Sequence, residues 1–167
     1  MAELSTDNAS ELIQFDGRES AQSIALQLAQ HARREICFFG QSIDPVLFDN
    51  MTMVDCLSEF ARRNNKTIIK FVVDSTQHNV ATGHRLLPLA QRLTSSIHIH
   101  LTAPQHKNAN QMFMLVDDSG YLYCPNRLRY QGKACLHDVM TARNLKQDFS
   151  EIWNHSSVDI NARQIHI

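Results

Sequence analysis

The run Thr67-Ile-Ile-Lys-Phe-Val-Val73 constrains the fold more than any other part of this chain. It is β-branched and nearly continuously apolar, with Lys70 as its one polar interruption. A strand with one face in water alternates apolar and polar residues. This one does not, so both of its faces are predicted to be covered, as in sheets that carry helices on both sides. Asp74 closes the run. Ile36-Cys-Phe-Phe39 is a shorter segment of the same kind, and Met112 to Val116 reads as another central strand.

Helical patterns separate these strands. Ala21, Ile24, Ala25, Leu28 and Ala32 fall on one helical face, after an expected start at Asp16-Gly-Arg-Glu19. Val54, Leu57, Phe60 and Ala61 line a second helix, with Thr52-x-x-Asp55 as its expected cap. Asp44-Pro45 reads as a turn or loop. Leu86 to Leu93 is a helical turn or more, with Pro88 tolerable only in its first turn. Ile97, Ile99 and Leu101 alternate with His98 and His100, a period of two. Asp118-Ser-Gly120 is a tight turn that returns Tyr121 to Cys124 as a hairpin partner. A last long helix is expected from near Asp138, with Leu145, Phe149, Ile152 and Trp153 inward, and a terminal strand through Ile165 and Ile167. The pattern predicts an α/β fold, a mixed β-sheet flanked by helices on both faces. Residues 1–14 are expected to be a flexible N-terminal segment and residues 15–167 a single domain, a size that buries a full core.

Composition excludes several classes. No apolar run approaches the roughly 20 residues of a membrane span. The start MAELSTDNASELIQFDG has neither the basic start nor the apolar core of a signal peptide, which predicts a cytoplasmic location. Cys37, Cys56, Cys124 and Cys135 lack metal-ligand spacing, so reduced thiols are expected, with no metal and no cofactor. Net charge is −1, yet residues 62–133 hold ten Lys and Arg against three acids, Asp74, Asp117 and Asp118. Such a bias either marks a site for an anionic ligand or scatters over the surface.

Four places along residues 15–158 resemble one half of the phospholipase D superfamily. They are an Asp-Gly segment leading through a helix to Ala32-Arg-Arg-Glu-Ile36; the strand from Lys66 to Asp74; the stretch Asn110 to Asn126; and Phe149-x-x-x-Trp153. The superfamily's active strand carries His, one residue, Lys, four residues and Asp, then Gly-Ser-x-Asn about ten residues on. Here Asp117 stands in the Asp place and Asn126 in the Asn place. Asn110 stands in the place of the His, Met112 in that of the Lys, and Tyr123-Cys124 in that of the Gly-Ser pair. The chain looks closest to uncharacterised bacterial domains of this type that lack the motif, some of them fused to an acyltransferase domain.

In active relatives the His attacks phosphorus and the Lys neutralises the phosphate. Asn110 has no titratable nitrogen and Met112 no charge. The resemblance therefore implies a non-catalytic module without catalytic residues, binding a partner protein or an anionic, phosphate-containing ligand. Its expected site is the degenerate cleft of Asn110, Asp117, Asn126, Arg127 and Arg129. Arg127 and Arg129 either grip a phosphate or carboxylate, with Arg85 and Lys107 near, or snorkel on the surface or pair with Asp117, Asp118 or Asp138. Active relatives combine two halves, which implies a homodimer or another protein partner, an acyltransferase being one choice. The alternatives are a hydrolase or phosphodiesterase with relocated residues, such as Cys124 or His106, and a nucleic-acid-binding protein. Near-neutral charge argues against the last.

Overall fold

The computed structural model describes residues 10–160. The chain runs through β1 (Ile13–Asp16), α1 (Arg18–His31), β2 (Glu35–Gly40), α2 (Pro45–Phe48) and α3 (Met51–Arg62). It continues through β3 (Ile68–Val73), α4 (Gln77–Thr82), α5 (Leu86–Arg92) and β4 (Ile97–Leu101). A 3-10 turn at Pro104–His106 leads into β5 (Met112–Val116), β6 (Gly120–Cys124), β7 (Gln131–Cys135), α6 (Val139–His155) and β8 (Ser157–Val158). Among the described residues the strands form one sheet in the order β1-β7-β6-β5-β2-β3-β4-β8. β2, β3 and β4 are parallel, while β5 runs antiparallel against β2. The mixed sheet expected from the sequence is the one observed.

The two faces of the sheet have separate cores. Ile36, Phe38, Ile69, Phe71, Val73, Met112 and Met114 face the α1, α2, α3 and α5 side. Phe48 of α2 stands edge-on to both Phe38 and Phe71, at ring separations of 5.0 and 5.1 Å. Such aromatic contacts add to the transfer free energy of the buried rings. Cys37, Phe39, Val72, Phe113 and Leu115 face α6 through Leu145, Phe149 and Ile152. Lys70, the interruption in the β3 run, lies on this second face, where its Nζ sits 3.1 Å from Glu35 Oε2. The other oxygen of Glu35 pairs with Lys146 of α6. A charge inside a covered strand is thus matched by an acid on the neighbouring strand.

Several local expectations are corrected. The sheet begins at Ile13, which pairs with Ala134 of β7, so residues 13 and 14 belong to the domain and not to a flexible segment. α1 starts after Gly17, whose φ of 126° makes the turn, with no side-chain cap from Asp16. Asn50, not Thr52, caps α3 by accepting from the Met53 N–H at 2.8 Å. Asp44-Pro45 does not stay a loop: Asp44 accepts from the Leu47 N–H at 3.0 Å and starts α2. Asp138 caps α6 as expected, accepting from the Thr141 N–H. The expected strand through Ile165 and Ile167 lies outside the described residues.

β7 was missed because its polar residues, Gln131 and Lys133, hide it. Its partner β6 is buried, and β7 carries a glycine where the two backbones approach. A Cβ on Gly132 would lie 1.9 Å from the Tyr123 carbonyl oxygen, so no other residue fits there without moving a strand.

His84 supplies a pH-dependent element of this packing. It is buried, and its Nδ1 accepts from the Leu86 N–H at 3.1 Å at the start of α5. Burial holds its pKa below the ordinary value of 6.5. The unfolded chain therefore takes up the proton first as pH falls. His84 contributes its full stability above about pH 6.5 and loses it progressively below. The expected outcome is a Tm that falls as pH drops from 7.5 to 5, with a shallower fall in His84→Asn. An identical slope in the variant would show that His84 carries none of it.

Candidate functional site

The side chains that converge do so at the carboxyl ends of the parallel strands. Asp74 follows β3, and its carboxylate gathers three donors. Oδ1 accepts from the Thr102 hydroxyl at 2.7 Å, and Oδ2 accepts from the Asn108 N–H at 3.0 Å and from Arg127 Nη1 at 2.7 Å. Asn108 reaches this position with a φ of 59°, a left-handed conformation that asparagine tolerates. The Arg127 N–H donates to the Asn110 carbonyl at 2.6 Å, which fixes the β6–β7 loop against the entry to β5. The Arg127 guanidinium lies over Phe39, 5.7 Å from the ring centre.

The Arg127 side chain is only 8% exposed and that of Asp74 11%. One end of the guanidinium is neutralised. Its Nε and Nη2 are buried and have no hydrogen-bond partner among the described residues. These two donors lie on one edge of the planar group, the edge that takes two oxygens of a carboxylate or phosphate side by side. A buried donor without a partner costs about 1–3 kcal/mol, more when charged, so this edge is the group most in need of an acceptor.

The residues expected to share a cleft separate into two places. Asn110 and Arg127 meet directly. Asn126 is exposed beside them and folds its own turn, accepting from the Leu128 N–H at 2.9 Å. Arg129 is exposed and joins that turn through its backbone. Asp117 sits beyond the opposite end of β5, roughly 20 Å away at the usual strand rise. There it accepts from the N–H groups of Arg33, Arg34 and Glu35 at 3.1, 2.8 and 3.0 Å. Its φ of 53° lets it turn back on the end of α1. Asp117 is a clamp on the entry to β2 and contributes nothing to the Arg127 cluster. Arg127 pairs with Asp74 and not with Asp117, Asp118 or Asp138. Arg85 is engaged elsewhere, with Asp49.

The other candidates resolve on burial and contact. Met112 is buried in the α1–α3 core, next to the position that a Cβ on Gly40 would occupy. Cys124 is fully buried, and desolvation pushes its thiol up to about 12, so it offers no thiolate near neutrality. Cys37 is pushed to about 12 for the same reason. His100 stacks on Trp153 with ring centres 3.8 Å apart and meets the Ser156 hydroxyl at 2.7 Å, which occupies it in packing. The residues that sequence reasoning missed are Thr102 and Asn108. Asp74 was visible only as the acid that ends a buried strand.

This architecture is that of a phospholipase D-like fold. The chain superposes on Nuc, a phospholipase D family member from Salmonella typhimurium, with a TM-score of 0.61, 13% identity and coverage of 89% of this chain and 97% of that one. NucT from Helicobacter pylori gives a TM-score of 0.62 at 14% identity, covering 89% and 99%. TrmBL2, an archaeal chromatin protein described as showing a novel mode of DNA binding, gives 0.66 at 11% identity over 91% of this chain. The chain spans only 55% of TrmBL2. No curated protein matches in sequence. The chain belongs to the family described as a domain of unknown function (DUF7931), which it matches over residues 17–165.

The Asp117 clamp makes a direct prediction. Asp117→Ala leaves three backbone N–H groups without their acceptor and is expected to cost about 2 kcal/mol in chemical denaturation. Asp117→Asn keeps one acceptor oxygen and tolerates the positive φ, so it should recover part of that loss. A loss under about 0.5 kcal/mol in the alanine variant, the range of ordinary surface changes, would contradict the assignment.

Proposed function

We propose that this chain is a non-catalytic phospholipase D-like module that binds a phosphate-containing anion at Arg127. The observation that carries the reading is the buried, unpartnered Nε–Nη2 edge of Arg127 at the carboxyl ends of β2 and β3. Open α/β sheets hold ligands at that end of their strands. Asp74 orients the guanidinium through Nη1 and leaves the paired-donor edge for the ligand. The edge is covered in this conformation, so the ligand enters when the adjoining loops, residues 102–111 and 125–130, part.

The absence of turnover follows from two side chains. Asn110 stands where the resemblance places the nucleophile, and it has no nitrogen that attacks phosphorus. Met112 stands where it places the cation, and its thioether belongs to the hydrophobic core. The fold likeness to TrmBL2 raises DNA as a competing ligand. A net charge of −1 supplies little of the counterion release that drives such binding.

Calorimetric titration with pyrophosphate tests the reading. Arg127→Lys keeps a cation for Asp74 but loses the paired donors, and it should bind at least about tenfold more weakly, the equivalent of one charge-assisted hydrogen bond. Bis(p-nitrophenyl) phosphate should not turn over. Equal affinity in Arg127→Lys would overturn the site, and turnover abolished by Asn110→Ala or His106→Ala would overturn the non-catalytic reading. Salt-sensitive binding of duplex DNA without pyrophosphate binding would favour the DNA reading instead.

A further inference from the structure

A second constellation lies beside this cluster and does not depend on Arg127. The 3-10 turn at Pro104–His106 carries His106 toward the last two turns of α6. Glu151 and His155 are four residues apart on that helix, so they project from the same face. The ligand atoms of His106, Glu151 and His155 all lie within 4.8 Å of one another. The two imidazoles approach most closely, His106 Nε2 to His155 Nδ1 at 3.2 Å.

We propose that His106, Glu151 and His155 form a binding site for a divalent transition-metal ion of the zinc class. Two neutral imidazoles and one carboxylate are the donors that such ions prefer, whereas magnesium and calcium favour oxygen alone. Two nitrogens bound tetrahedrally at 2.0–2.1 Å stand roughly 3.3 Å apart, which is the separation already present. An ion between them would replace the hydrogen bond that the two rings make in its absence. The carboxyl end of α6 adds a favourable potential for a cation. Three protein ligands leave a fourth position for water or an anion. Glu151 and His155 are exposed, so the ion enters without any opening of the core.

Trp153, the only tryptophan in the chain, lies between two of the ligands in sequence and reports on the site. Tag-free protein is titrated with zinc by calorimetry and with cobalt or nickel by Trp153 fluorescence. The expected result is one high-affinity zinc equivalent, saturable quenching by the paramagnetic ions, and a Tm raised by zinc. His106→Ala and His155→Ala should each weaken zinc binding at least about tenfold, the loss expected even for groups outside the ligand set. Glu151→Gln should weaken it too, while His78→Ala, on an exposed stretch of α4, should bind as the unaltered protein does. The metal-free Tm should be the same in all of these proteins, which separates lost ligation from damaged folding. No binding by the unaltered protein at millimolar zinc would overturn the site. So would equal affinity in His106→Ala and His155→Ala, which would place the ion on other histidines. Pyrophosphate binding at Arg127 is a separate readout, so either site stands or falls alone.

Discussion

The ion pair between Arg127 and Asp74 holds together the end of the molecule where the chain's chemistry collects. One carboxylate ties the end of β3 to Thr102 after β4, to Asn108 in the loop before β5, and to Arg127 after β6. Three segments distant in sequence, the end of β3, the loop that carries Thr102 and Asn108, and the β6–β7 loop, therefore meet on two oxygens. Both partners are nearly out of water, and removing one member of such a pair costs about 3–5 kcal/mol because the other is left charged and buried. The arrangement is informative because it is incomplete. Structural economy would satisfy all the guanidinium donors, and here one edge has no partner among the described residues.

Around that pair the fold separates two packed cores from a polar end of the sheet. Two cores sandwich the central strands, and the face toward α1, α2 and α3 is filled by Met112, Met114 and Phe38. Asp117, at the far end of β5, secures the start of β2 through three backbone donors. The ends of β3 and β4 carry polar groups whose partners come from loops. The loops supply conformational freedom, and the sheet beneath supplies a fixed platform.

The sheet was legible because burial on both faces leaves an unmistakable pattern. Thr67 to Val73 and Met112 to Val116 read directly as central strands, and Asp138 as the cap of α6. The edges were not legible. β1 and β8 are short, and β7 carries Gln131, Gly132 and Lys133, since an edge or near-edge strand need not be apolar. Pairing, not composition, defines them. α2 was hidden in the same way, because four residues give no periodicity and only the Asp44 cap marks the start.

The candidate site was half legible. Asn110 was found from the resemblance and Arg127 from its place after Asn126 at a strand end, and their backbones do meet. Asp117 was grouped with them because the motif puts them close in sequence. An extended strand converts seven residues into most of the width of the sheet. Asp74 was read only as punctuation, since nothing in one sequence tells that a strand-ending acid will face an arginine 53 positions later. His106 and His155, 49 residues apart, met for the same reason, through a loop and a helix end that the sequence does not align.

The most direct measurement is of the Arg127 side chain itself, by the nitrogen–proton correlation of its Nε–H in labelled protein. If the free edge is the ligand site, that resonance moves saturably as pyrophosphate is added, while those of exposed arginines such as Arg129 move little. The signal assigned by its loss in Arg127→Lys must be the one that responds. An Nε–H that stays fixed at saturating pyrophosphate, or shifts no more than the surface arginines, would contradict the account.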